Sequence, residues 1–205
     1  MYKRFYIAAA VFLTLLLNVH GQSAARVREL SEAVSSGDVA LTASGNGSSS
    51  GAAIIGVLTN NTSSEIRINV TLTSGVYLRN SGLGQNMVGT QIFLSDGGYM
   101  ESGTARFIRL TSNSKTSVMI IGFCADFDRD NPSTAETFSI APMPTHLQSI
   151  SDKISRYLND NFDDDPVIPV QLALWHSLGE SRSHINEKFD FDDSDWELAV
   201  RIMDY

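Results

Sequence analysis

The chain holds one thiol, Cys124, at the end of the apolar run Ser117-Val118-Met119-Ile120-Ile121-Gly122-Phe123. A lone cysteine has no disulfide partner within its chain, so it is a small buried hydrophobe, a link to another chain, or a reactive group. Gln171 lies in Pro169-Val170-Gln171-Leu172-Ala173-Leu174-Trp175, where a carboxamide can cap or brace the helix that Pro169 begins. Asp126, Asp128 and Asp130 alternate as the ligands of a hard cation do. The sixth position of that series is Asn131 rather than Gly and the twelfth is Thr137 rather than Glu, so a solvated acidic loop is the better reading than a calcium site. The acidic run Asp190, Asp192, Asp193 and Asp195 suits an exposed linker and a helix N-terminus. His146, His176 and His184 have no metal-ligand spacing with one another or with Cys124, and no Gly-x-Ser-x-Gly, phosphate loop or dinucleotide fingerprint occurs. These residues point away from an enzyme, and neither a metal nor a cofactor is expected.

The elements that must position Cys124 and Gln171 follow from periodicity. Val27, Leu30 and Val34 have helical spacing and end at Gly37, a short lead helix within residues 22–37. From 38 to 125 short apolar or alternating runs are separated by turn residues: Ala52–Leu58, Ile66 to Leu72, Gly75–Leu78, Gln91–Leu94, Ala105–Leu110 and Val118–Phe123, with Asp96-Gly97-Gly98 as a hairpin signal. About seven strands at such spacing predict an antiparallel, Ig-like β-sandwich. Residues 126–144 read as a connecting loop. Leu147, Ile150, Ile154, Leu158 and Phe162 then form one helical face, a second helix runs from Pro169 to Gly179, and Ser194 to Glu197 matches a capping box for a last helix. The expected class is α+β, a sandwich followed by a helical segment over 145–205.

On these landmarks the chain resembles a known arrangement. A strand ending in Cys124, a proline some residues later, an amphipathic helix and then a helix opening with apolar-Gln-x-Ala-x-Trp are similar to the thioester domains of bacterial surface adhesins. Gly75-Val76-Tyr77-Leu78, Gly84-Gln85-Asn86-Met87-Val88 and Cys124 to Pro132 resemble a wider set of poorly characterised secreted proteins, over most of residues 30–178. The thioester resemblance implies that Cys124 supplies a thiol and Gln171 an acyl group. The two join with loss of ammonia into an internal electrophile that acylates amines on a partner.

Residues 1–21 read as a cleavable secretory signal: Lys3 and Arg4, an apolar stretch from Phe5 to Leu17, and the small Gly21 before the expected cut. That stretch is short of the roughly 20 apolar residues a membrane span needs. The expected mature chain is secreted and has no membrane span. Its 184 residues (205 − 21) suit one domain, with a charge of −10 from 13 basic and 23 acidic side chains. Nucleic acid is a poor partner for such a surface. The acidity is uneven: residues 150–205 carry 13 acidic and 5 basic side chains, residues 22–149 10 and 8. Asn46, Asn60, Asn61 and Asn69 meet the glycosylation rule, while Asn131 precedes a proline. The function expected is a non-enzymatic structural, adhesive or protein-binding role toward a protein or cell-surface ligand. The covalent alternative uses Cys124 and Gln171.

Overall fold

Alternating apolar residues and turn glycines build a strand-rich chain in the computed structural model, which describes residues 26–205. The expected signal peptide lies outside the described residues. In chain order come β1 (Val27–Arg28), α1 (Leu30–Ser35), β2 (Val39–Gly45), β3 (Ser50–Asn60), β4 (Ile66–Asn69), β5 (Thr71–Asn80), β6 (Met87–Leu94), β7 (Met100–Ser102), β8 (Ala105–Leu110), β9 (Lys115–Cys124) and β10 (Thr137–Ala141). The helices α2 (Thr145–Asp160), α3 (Val167–Ser177), α4 (Arg182–Asn186) and α5 (Asp193–Met203) follow.

The strands do not form the expected sandwich. Six of them close into a barrel in the order β10-β2-β3-β9-β6-β5, and a separate four-stranded sheet runs β1-β4-β8-β7. Closure depends on β10, which lies inside the segment read as a connecting loop. It pairs with β2 through Thr137 opposite Ser44, and with β5 from Phe138 opposite Asn80 to Ala141 opposite Tyr77. Barrels and sandwiches share the same in-out alternation, so what separates them is strand stagger and local bending. Three register shifts supply the bending, at Gly51/Ile54, Thr71/Val76 and Gly89/Gln91. The Ile66 to Leu72 alternation serves both sheets: β4 and β5 are separated by Val70 alone, whose N–H donates to Arg106 and whose carbonyl accepts from Ile92.

The barrel is filled tightly enough to require glycine at Gly89, where a Cβ would come within 2.9 Å of Ile120 Cγ2 and 3.0 Å of Val76 Cγ2. Against the outside of β5 lies α2, whose buried face holds Leu147, Ile150, Ile154 and Leu158 as its spacing predicts. The same face carries two buried serines that fasten it to the strand. Ser151 Oγ donates to the Ser74 carbonyl at 2.6 Å and Ser155 Oγ to the Leu72 carbonyl at 3.0 Å. Ser74 and Gly75 both take positive φ there, so the strand bends where the helix grips it.

Seven consecutive residues of α3, Pro169 to Trp175, are buried, so this helix has no polar face to show solvent. It packs on α5 and reaches β3 and β9. The last helix is capped two residues earlier than expected: Asp192 accepts from the Asp195 N–H and the Asp195 side chain accepts from the Asp192 N–H. Two acidic residues in its first turn suit the positive end of the helix dipole.

Candidate functional site

The end of β9 meets the first turns of α3, and this brings Cys124 and Gln171 together although 47 positions separate them. Strand β6 covers one side of Cys124, with Met87 opposite it. On the other side β3 begins at Ser50 opposite Phe123, and the Gln171 carboxamide takes both backbone groups of Cys124. The Cys124 N–H donates to Gln171 Oε1 at 2.8 Å, and Gln171 Nε2 donates to the Cys124 carbonyl at 3.0 Å. Both residues are 0% exposed. The thiol donates to the Ser49 carbonyl at 2.8 Å and lies 3.6 Å from Met87 Sδ.

Local sequence explains this placement. Gly122, two residues before Cys124 and on the same face of the strand, leaves room for the Ile54 and Met87 side chains; a Cβ there would come within 3.0 Å of Ile54 Cδ1. Gln171 sits in the first turns of a helix that is apolar all round, and its only polar partners are the two backbone groups at the strand end. Both hydrogen-bonding ends of the carboxamide are satisfied, as a buried amide requires. Burial, and secondarily the carboxylate of Asp126, push the Cys124 thiol far above its ordinary value and keep it protonated.

The acidic loop after Cys124 is a brace. Asp126 accepts from the Asn86 N–H at 2.9 Å and from Asn86 Nδ2 at 2.7 Å, Asn86 accepts in turn from the Asn80 N–H, and the Asn86 carbonyl accepts from Ala125. Asp128 pairs with Lys188 at 3.0 Å. Asp130 offers its carbonyl to the Gln85 N–H. The three aspartates thus face different partners, and among the described residues no group of three His, Cys, Asp or Glu is placed to hold a metal ion. Further along, Glu136 gathers the N–H groups of Gly84 and Ser133 and the Asn80 amide, which hold its carboxyl down at about 2.

Two of the three described histidines, His176 and His184, share Glu180 as a partner. His146 is exposed at the start of α2. The His176 ring packs on Trp196, with Nδ1 at the Glu180 carbonyl, and the His184 ring lies against Phe127, with Nδ1 2.6 Å from Glu180 Oε2. Of the four glycosylation-rule asparagines, Asn46 and Asn61 are exposed and Asn69 is half-buried. Asn60 is buried, and its Nδ2 donates to the carbonyls of Ser64, Leu110 and Thr111.

What the pair can do chemically follows from its surroundings. The Gln171 carbonyl carbon is a potential acyl centre, seated on the backbone of the residue that carries the thiol. Its oxygen already accepts from a fixed backbone N–H, the arrangement that stabilises negative charge on a carbonyl under attack. No family model, no curated protein and no solved structure matches this chain. The reading of the site therefore rests on its own geometry. Two neighbours of the pair carry no chemical signal in the sequence: Ser49, from a Gly/Ser-rich turn, and Gln85, whose Nε2 donates to the Arg129 carbonyl at 2.7 Å. No helix among the described residues is long and apolar enough to cross a membrane.

Proposed function

We propose that the chain is a covalent binding domain in which Cys124 and Gln171 condense to an internal thioester that acylates an amine on a protein partner. The observation that carries this reading is the seating of the Gln171 carboxamide on the backbone of Cys124, with both residues fully buried. Cys124 Sγ attacks the Gln171 side-chain carbonyl carbon, the C–N bond breaks, and the thiol proton leaves with the nitrogen as ammonia. Seating the carboxamide on the backbone of Cys124 keeps the acyl group one side-chain rotation from the thiol's own residue, the proximity that such a step needs between weak reactants. Enclosure protects the product from hydrolysis until an amine arrives. Each domain reacts once, so the activity is binding and not turnover. Export through the signal at residues 1–21 belongs to the same reading, since it would place the electrophile among extracellular partners.

A non-covalent role has its own support in the completeness of the hydrogen bonding, because Gln171 with two satisfied ends is also a good structural brace for a strand end. Intact-mass measurement of the purified mature protein decides between them. The covalent reading expects a mass lower than the sequence by one ammonia, restored with an added amine on incubation with methylamine and absent from Cys124→Ala and Gln171→Ala. The full sequence mass, with a thiol that titrates on unfolding, refutes it and leaves the brace.

A further inference from the structure

Beside the pair lies a recess of about 320 Å³, lined by Ser49, Gln85, Phe127, Trp175, Lys188 and Phe189 among others. Ser49 joins it to the site, because the Ser49 carbonyl accepts from the Cys124 thiol. Trp175 joins it from the other side, one helical turn beyond Gln171 on the same face of α3. Its walls are aromatic: the rings of Phe127 and Phe189 stand edge-on to Trp175 with centroids 5.0 and 5.4 Å away.

Two atoms in these walls are out of keeping with the rest of the core. Among the described residues, the buried side-chain polar atoms without a hydrogen-bond partner are Gln85 Oε1 and Trp175 Nε1. Gln85 is 4% exposed and Trp175 5%. The Gln85 amide is oriented by its Nε2 donating to the Arg129 carbonyl, so Oε1 is a fixed acceptor. Leaving such atoms unpaired is costly, because each has given up its water without a replacement. One recess thus offers an unused acceptor and an unused donor, the two functions that a peptide backbone complements with its N–H and C=O.

Lys188 is neutralised by Asp128 and Arg129 by Asp126, whereas Asp130, also in the lining, has no ion pair among the described residues.

We propose that this recess is the docking subsite for the amine-bearing partner. It takes a peptide segment whose backbone N–H donates to Gln85 Oε1 and whose carbonyl accepts from Trp175 Nε1, beneath a rim of Phe127 and Phe189 that parts to admit it. The assignment rests on the thioester reading for its reaction. The partner's amine nitrogen bonds to the Gln171 carbonyl carbon, the C–S bond breaks, and the amine proton returns to sulfur.

The test compares two amines that differ only in the peptide backbone, Nα-acetyl-lysine N-methylamide and butylamine, by the rate at which each adds to the full chain in intact-mass spectra. The peptide amine is expected to react roughly tenfold faster, the factor that about 1.4 kcal/mol of hydrogen bonding provides. Trp175→Phe, which keeps an aromatic ring and removes the donor, and Gln85→Met are each expected to bring the ratio toward one. Equal rates for the two amines in the wild type, or a ratio unchanged in both variants, overturn the proposal. If neither amine adds, the thioester reading has failed, and the subsite is judged on the indole N–H resonance of Trp175. A shift on titration with Nα,Nε-diacetyl-lysine N-methylamide supports a peptide subsite without the reaction. An unmoved resonance means that water alone satisfies these atoms and overturns it.

Discussion

Replacing Gln171 by leucine in a Cys124→Ala background isolates the hydrogen-bonded clasp from any covalent bond. Alanine at 124 keeps the backbone N–H and carbonyl that Gln171 engages and removes only the sulfur. Leucine at 171 is of similar size and fits an apolar helix, so little packing is lost. Two backbone groups are then left unpaired at a fully buried strand end, where the carboxamide had bonded them at 2.8 and 3.0 Å. At about 1–3 kcal/mol for each orphaned group the double variant should lose roughly 2–6 kcal/mol relative to Cys124→Ala. That is a large share of the 5–15 kcal/mol by which domains are ordinarily stable. Urea denaturation followed by far-ultraviolet circular dichroism measures it, with the slope compared to confirm that both variants unfold from the same compact state. A difference below about 1 kcal/mol, less than one orphaned group costs, would show that water or a backbone shift re-satisfies Cys124 and that the clasp does not hold β9 to α3.

Gly89→Ala should destabilise by about 1–3 kcal/mol, read as a lower urea midpoint, because its Cβ would meet Ile120 and Val76 inside the barrel; an unchanged midpoint would contradict the tight filling described. Glu136 has its carboxyl lowered from 4.5 to about 2 by the N–H groups of Gly84 and Ser133 and by the Asn80 amide. Its contribution to stability is therefore present above pH 4.5 and is lost as pH falls toward 2. Melting temperatures between pH 6 and 2 should fall less steeply in Glu136→Gln than in the wild type, and parallel curves would refute the assignment. Asp126→Ala removes the acceptor of two hydrogen bonds from Asn86 and should speed hydrogen exchange at Asn86 and Ala125; unaltered protection there would exclude the brace. If the thioester forms, it closes a loop of 47 positions, worth about 4 kcal/mol by the chain-entropy reckoning used for disulfides. Opening it with methylamine should lower the melting temperature, and an unchanged melt after complete addition would show no such cross-link.

The two residues that the structure brings together stood out because each sits in a strong local pattern, Cys124 at the end of an apolar run and Gln171 in a helix buried on every side. Their contact was legible only through resemblance, since nothing in residues 125–170 states where the helix folds back. The barrel was not legible. Thr137-Phe138-Ser139-Ile140-Ala141 holds only two large apolar residues, and its partners in β5 lie about 60 positions away. A sandwich and a barrel write the same alternation, and the bends that distinguish them fall at Gly51, Ser74-Gly75 and Gly89, which read equally well as turns. The orphaned atoms of Gln85 and Trp175 were also beyond reach, because an unmet hydrogen bond is a property of packing and not of composition.

Among the described residues, barrel closure gives each of its six strands two neighbours, so the outermost strands are those of the smaller sheet, β1 and β7. These have two and three residues, too short to template the addition of another chain, and Glu101 places a charge on the second. A domain that keeps an enclosed electrophile on the reading above would meet many foreign chains, and the short borders of its described sheets give strand addition little to build on.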